Sequence, residues 1–152
     1  MSDDFLKLDN QLCFPLYACS RQIIRLYKPV LDPLGLTYTQ YIALMALWET
    51  DHISVKQLGE RLFLDSGTLT PLLKKMENQG LVRRERSLED ERVVVIHLTH
   101  EGRQMKEKAA DVPRRVVSCV NLSQEDAIQL HHLLHLILED TRSNACALKK
   151  TE

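Results

Sequence analysis

Aromatic side chains make up only 5% of this chain. No stretch approaches the ~18 consecutive apolar residues that a membrane-spanning helix needs. An α-helical membrane protein is therefore excluded, and no membrane partner is expected. The N-terminus, Met1-Ser2-Asp3-Asp4, is acidic and lacks the cationic start of a secretory leader, so a cytoplasmic location is the expectation. Basic residues are not in excess, since the net charge is −1. Nucleic-acid binding, if present, must come from a local concentration of charge. The four cysteines, Cys13, Cys19, Cys119 and Cys146, form no CxxC pair. That spacing indicates neither a thiolate metal site nor a disulfide framework. No repeat or low-complexity segment interrupts the chain, and no cofactor is expected.

What is present suffices for one compact domain, or one lobe plus a dimerisation lobe: 152 residues, 44% hydrophobic and 27% charged. Asp9-Asn10 offers an N-cap for a first helix to about Leu31, with Leu12, Leu16, Ile23, Ile24, Tyr27 and Leu31 at helical spacing and Pro15 near its start. Pro29, Pro33 and Gly35 break that pattern. Thr37-Tyr38-Thr39-Gln40 and Ser54-Val55-Lys56-Gln57 read as capping boxes opening two further helices. Asp65 or Ser66 caps the next, which carries Leu69, Leu72, Leu73 and Met76, is expected to distort at Pro71, and stops at Gly80. Leu81 to Ser87 and Arg92 to Leu98 alternate as two strands of a hairpin, with a small strand at His52-Ile53. Thr99 caps a helix to about Val117, bent at Pro113, and Ser123-Gln124-Glu125-Asp126 opens a terminal helix.

Two short helices followed by a charged β-ribbon suit a DNA major groove and the minor groove beside it. Between Leu72 and Arg86, the residues Lys74, Lys75, Arg83, Arg84 and Arg86 outweigh Glu77 and Glu85 by +3. The terminal helix, with Leu130, Leu133, Leu134, Ile137 and Leu138, is apolar on nearly two faces. A second copy of the chain is the simplest cover for it, and a two-fold dimer presents two recognition helices about one DNA turn, ~34 Å, apart.

These features together resemble the MarR family of dimeric winged-helix regulators. The general marks are the central helix pair, the wing Ser87-Leu88-Glu89-Asp90-Glu91-Arg92, and Leu98-Thr99-His100-Glu101-Gly102. Leu12-Cys13-Phe14, Tyr27-Lys28-Pro29, Thr37-Tyr38-Thr39-Gln40-Tyr41 and Leu64-Asp65-Ser66-Gly67-Thr68-Leu69-Thr70-Pro71 resemble more narrowly the OhrR subgroup of organic hydroperoxide-sensing repressors. The resemblance spans nearly the whole chain. It implies a mainly α fold with a small β-wing, a winged helix-turn-helix over 37–99, and dimerisation helices over 1–36 and 100–152. It implies a repressor, not an enzyme, that binds pseudo-palindromic operator DNA as a homodimer and lets go when organic hydroperoxide oxidises it.

Residue by residue, Ser66, Thr68 and Thr70 place hydroxyls near the recognition-helix N-terminus, within reach of phosphates or base edges. Lys74 and Lys75 suit phosphate contacts. Arg86 and Arg92 suit a narrow A·T-rich minor groove, and Asp90 holds the wing arginine in place. Cys13 lies near a helix N-terminus, whose partial positive charge favours the thiolate that attacks a peroxide. By resemblance, Tyr27 and Tyr38 of the partner chain donate to that sulfur, while Phe14, Leu16, Tyr17 and Tyr41 form an apolar approach. Cys19, six residues on, stands about 9 Å along the helix and roughly 240° around it, a poor disulfide partner. Cys119 resembles the resolving cysteine of two-Cys members, which bonds the sensor cysteine of the other subunit; Cys146 or a small cellular thiol are the alternatives.

Competing readings are a MarR-type repressor answering another oxidant or a phenolic ligand, a metal-responsive regulator using His131, His132 and His135, and a thiol peroxidase turning over at Cys13.

Overall fold

The computed structural model describes residues 3–148, with side chains described over 4–142. Two 3-10 turns, Asp3–Leu6 and Leu8–Asn10, precede α1 (Cys13–Leu31), which runs into a third 3-10 turn, Asp32–Leu34. Then follow α2 (Tyr38–Glu49), β1 (Ile53–Ser54), α3 (Val55–Leu62), α4 (Ser66–Asn78), β2 (Val82–Arg86) and β3 (Val94–Leu98). Three helices end the chain: α5 (His100–Lys108), α6 (Val112–Val117) and α7 (Gln124–Leu148). They form two compact units, Met1–Val117 and Ser118–Glu152.

Local signals set most of the helix starts. Thr37 Oγ1 accepts from the Gln40 N–H at 3.3 Å, and Gln40 Oε1 accepts from the Thr37 N–H at 2.9 Å. Ser54 and Gln57 repeat this reciprocal pair at 3.1 and 2.8 Å. Each pair satisfies two backbone donors that a helix start otherwise leaves orphaned. At α4 the cap is Asp65, whose Oδ1 accepts from the Thr68 N–H at 2.8 Å.

The helix-turn-helix between α3 and α4 is tight because Phe63 takes the left-handed conformation (φ 56°) at the end of α3. The Leu64 N–H then returns to the Gly59 carbonyl at 3.0 Å. A Cβ on Gly59 would lie 2.7 Å from the Leu64 carbonyl oxygen, so the turn closes only over a glycine. Leu58, Leu69, Leu73 and Met76 from this pair are buried, against Leu44 and Leu47 of the same core and Ile96 of the sheet.

The sheet is antiparallel in the order β1-β3-β2, with Ile53 opposite Ile96 and Val82 opposite Leu98. Its corner is pinned by Asp51, which accepts from the N–H groups of Leu98 and His52 at 2.9 Å each and from Arg103 Nη2 at 2.9 Å. Partial burial pushes this carboxyl up, but those three donors outweigh it and hold it below the usual range.

Two expectations need correction, at the start of α1 and at the end of the helix that follows the sheet. Asp9 and Asn10 do not cap α1: Asn10 Nδ2 donates back to the Asp4 carbonyl at 2.8 Å, and α1 begins at Cys13 with no side-chain cap. As expected, α1 runs through Pro29 to Leu31, closing with the Asp32 N–H on the Lys28 carbonyl. Pro71 lies inside α4, which runs from Ser66 to Asn78. The helix from Thr99 stops at Lys108 rather than Val117, because buried Ala109 and Val112 anchor a turn ahead of Pro113.

Candidate functional site

The DNA-facing candidates lie on α4 and the β2–β3 wing. Ser66, Thr68 and Thr70 are exposed, but two of their hydroxyls are already engaged. Thr68 Oγ1 donates to Asp65 Oδ2 at 3.2 Å, and Thr70 Oγ1 donates to the Ser66 carbonyl at 2.8 Å. Their remaining lone pairs only accept, and Ser66 keeps the one uncommitted hydroxyl donor of the three. The Thr68 N–H and hydroxyl together hold the Asp65 carboxyl below its ordinary range.

Basic residues at this edge divide by their partners. Arg84 is bound: its Nε and backbone N–H reach the two oxygens of Glu77 at 2.9 and 3.0 Å, clamping β2 to the last turn of α4. Arg84 in turn keeps the Glu77 carboxyl low. Arg86 Nη1 donates to the Glu91 carbonyl at 2.9 Å and so closes the wing turn. Lys74, Lys75 and Arg83 are exposed and make no ion pair among the described residues.

At the wing tip, Arg92 presents 90% of its side chain to solvent while Asp90 grips it. Its Nε and Nη2 donate to Asp90 Oδ1 and Oδ2 at 3.0 and 3.1 Å, and its backbone N–H adds a 3.0 Å bond to Oδ1. These contacts hold the Asp90 carboxyl below the usual range. The pair is exposed, so its value is orientation rather than stability. A guanidinium fixed by two parallel bonds pays less entropy when it enters a groove.

The sulfur candidates are distributed along the chain. Cys13, Cys19 and Cys119 are all exposed, while Cys146 lies outside the residues whose side chains are described. Cys13 is the first residue of the 19-residue helix α1, where uncapped backbone N–H groups concentrate positive potential. Tyr27 sits fourteen residues further along that helix, about 21 Å away at 1.5 Å per residue. One chain therefore does not bring Cys13 and Tyr27 together.

The tyrosines do meet one another. Tyr27 and Tyr38 lie with ring centroids 4.8 Å apart, and Tyr41 stands 5.9 Å from Tyr27 and 6.3 Å from Trp48. Neither Tyr27 nor Tyr38 donates a hydrogen bond among the described residues. Burial raises both phenols above their ordinary value, Tyr38 adding to the effect on Tyr27, so both remain donors at neutral pH. Tyr41, expected on the apolar approach, is instead 3% exposed and forms the floor of this cluster. Phe14, Leu16 and Tyr17 are exposed around Cys13.

On α7, the His131 and His135 rings lie 4.1 Å apart between centroids. Among the described residues no group of three or more His, Cys, Asp or Glu side chains is placed to hold a metal. Among them, too, no helix is long and apolar enough to cross a membrane. Sequence reasoning missed Gln79, at the end of α4: its amide bridges to Gln40 and Gly35, and nothing local marks so distant a contact.

Comparison with known proteins places this geometry. Residues 25–109 match the model of the transcriptional regulator SarA/Rot family. Over 136 residues the chain is 54% identical to the organic hydroperoxide resistance transcriptional regulator of Bacillus subtilis (strain 168), covering 90% of this chain and 92% of that protein. Reduced AbfR bound to DNA superposes with a TM-score of 0.75 at 36% identity, over 92% of this chain and 98% of AbfR. AbfR in its disulfide form gives 0.62 at 38% identity, over 89% and 96%. Wild-type MarR from E. coli in its apo form gives 0.65 at 26% identity, over 84% and 97%. On this ground the chain belongs to the MarR family of winged-helix transcriptional regulators, within its organic hydroperoxide resistance subgroup.

Proposed function

We propose that the protein is a redox-responsive repressor that binds operator DNA as a homodimer and is released when an organic hydroperoxide oxidises Cys13. The observation that carries this reading is the separation just described. An exposed thiol begins α1 about 21 Å from Tyr27, which packs on Tyr38; both rings are half-buried, and neither hydroxyl donates a hydrogen bond among the described residues. A two-fold dimer with antiparallel α1 helices unites them, Tyr27 and Tyr38 of one protomer donating to Cys13 of the other. Exposed apolar side chains support that pairing: Leu12, Phe14, Leu16, Ile23 and Ile24 on and before α1, and Ile128, Leu130, Leu133 and Leu136 on α7. Fully burying a side chain of this kind stabilises by about 1.5–3 kcal/mol, so a handful suffices for a lasting dimer.

The chemistry follows from the thiolate. Its sulfur attacks the distal oxygen of R–O–O–H; the O–O bond breaks, an S–O bond forms, and RO⁻ leaves and takes a proton as ROH. Cys13 becomes a sulfenic acid. Attack by the partner's Cys119 thiolate on that sulfur then forms the disulfide, the hydroxyl leaving as water. Loss of the thiolate removes the acceptor on which the tyrosines converge, and the new bond pulls on the dimer helices and alters the spacing of the winged lobes. The apolar side chains around Cys13 favour organic over hydrogen peroxide.

The resolving step is tested on a non-reducing gel after organic peroxide treatment. A cross-linked dimer is expected from wild type and not from Cys119→Ser. A cross-link that persists in Cys119→Ser removes Cys119 from the mechanism and points to Cys146.

DNA contact is assigned to α4 and the wing: Ser66, Thr68, Thr70, Lys74 and Lys75 on the first, Arg86, Asp90 and Arg92 on the second. Arg92→Ala is expected to weaken operator binding about tenfold, or ~1.4 kcal/mol, with the dimer and its melting temperature unchanged. Fluorescence anisotropy with labelled duplex measures this, and an unaltered affinity removes the wing from recognition.

A further inference from the structure

Gln40 lies in the first turn of α2 and is 0% exposed, the one buried polar side chain among the described residues. Its amide serves two masters: Oε1 accepts from the Thr37 N–H at 2.9 Å, while Nε2 donates to Gln79 Oε1 at 2.7 Å. Gln79 Nε2 then donates to the Gly35 carbonyl at 3.1 Å. Two side-chain amides thus close a ring of hydrogen bonds joining the Gly35–Thr37 connector to the end of α4.

Both ends of the ring are functionally placed. At one, Tyr38 lies between Thr37 and Gln40 in the same first turn, with its ring on Tyr27. At the other, Gln79 caps α4, its N–H on the Lys75 carbonyl, and the next residue, Gly80 (φ 73°), turns the chain into the wing. Glu77 and Arg84 clamp β2 to α4, so the recognition helix and the wing leave this joint as one piece. Gln40 has no water to fall back on at zero exposure, so a shift at Tyr38 moves Gln79 with it or breaks a bond that nothing replaces.

We propose that Gln40 and Gln79 are positioning residues that transmit the redox state of the tyrosine cluster to the recognition helix and wing. This rests on the redox reading above. In the reduced dimer the tyrosines hold the α2 first turn, and the amide ring holds the α4–wing joint at the setting that fits DNA. On oxidation the tyrosines lose their acceptor, the α2 turn moves, and the ring carries that displacement to α4. Allosteric couplings of this kind commonly span about 5–150-fold in affinity.

The test measures operator affinity before and after stoichiometric cumene hydroperoxide for wild type, Gln79→Met and Gln79→Glu, with Cys13 oxidation followed by thiol titration. Gln79 is exposed, so methionine is accommodated in place. It keeps the length of the side chain but removes both bonds. Glutamate accepts from Gln40 but cannot donate to Gly35. The expected result is a wild-type loss of affinity of at least tenfold, under threefold in Gln79→Met, and intermediate in Gln79→Glu, with Cys13 oxidised at the same rate in all three. If the amide ring merely stabilises the fold, Gln79→Met lowers affinity equally in both redox states; an unchanged ratio overturns the proposal. Should Gln79→Met fail to fold, an unchanged ratio in Gln79→Glu overturns it equally. Wild-type affinity indifferent to peroxide overturns the redox reading itself, and the relay with it.

Discussion

Gly102→Ala should unfold the winged lobe at a markedly lower temperature than the parent. A Cβ at this position lies 2.1 Å from the Leu81 carbonyl oxygen and 3.1 Å from a methyl of Leu98. The first obstacle is backbone, held where it is by the Thr99 N–H at 3.1 Å, so no rotamer change relieves it. To admit the methyl, α5 must back away from the turn between α4 and β2. That retreat strains the Trp48 Nε1 bond to the Gly102 carbonyl at 2.9 Å and the Thr99 cap on the Gly102 N–H at 3.0 Å. Backbone clash plus a lost cap and a lost indole bond corresponds to about 3 kcal/mol or more. In a chain of this size that lowers the melting temperature by roughly 6–12 °C. Gly67→Ala is the milder comparison, because its Cβ meets only Asp65 Oδ1 at 3.0 Å and at most the α4 cap on the Thr68 N–H, about 1 kcal/mol, is lost. Thermal melts followed by circular dichroism decide the matter; a Gly102→Ala melt within about 2 °C of the parent contradicts the packing.

Signals confined to one turn of chain were legible. The Thr37/Gln40 and Ser54/Gln57 boxes, the Asp65 cap and the Gly80 stop each act over three or four residues, and each appears as read. The errors arose where a local preference met a competing partner. Asn10 has the chemistry of an N-cap, yet its amide finds the Asp4 carbonyl and leaves α1 to start uncapped at Cys13. Ala109 and Val112 look like continuous helix in sequence, whereas their burial favours a turn between α5 and α6.

The candidate site was legible only in part. Cys13, Tyr27 and Tyr38 stand out as residue types, and the clustering of the two rings matches a shared role. The distance of Tyr27 from Cys13 follows from helix geometry alone, and under the proposed function a second protomer bridges it. Hydroxyl commitments were not legible in the sequence. Thr68 and Thr70 each donate to a neighbour three or four residues back and keep lone pairs that accept, while Ser66 and the cations Lys74, Lys75 and Arg83 are exposed without an ion pair among the described residues. Arg83 carried no assigned role on sequence grounds, while Arg84 beside it is consumed by Glu77.

The sensor itself makes the other large prediction. Serine keeps the size and polarity of Cys13 but has no ionised sulfur to attack a peroxide. Cys13→Ser is therefore expected to bind operator DNA like the parent and to ignore the oxidant. An exposed residue at a helix start tolerates the change without loss of fold. Cys19→Ser, also exposed, should behave as wild type and excludes a general effect of removing a thiol.

Redox control at Cys13 is decided by operator affinity, measured by anisotropy with and without one equivalent of cumene hydroperoxide per protomer. Wild type is expected to lose at least tenfold in affinity, about 1.4 kcal/mol, while Cys13→Ser changes by less than twofold. Equal release of both proteins would contradict it.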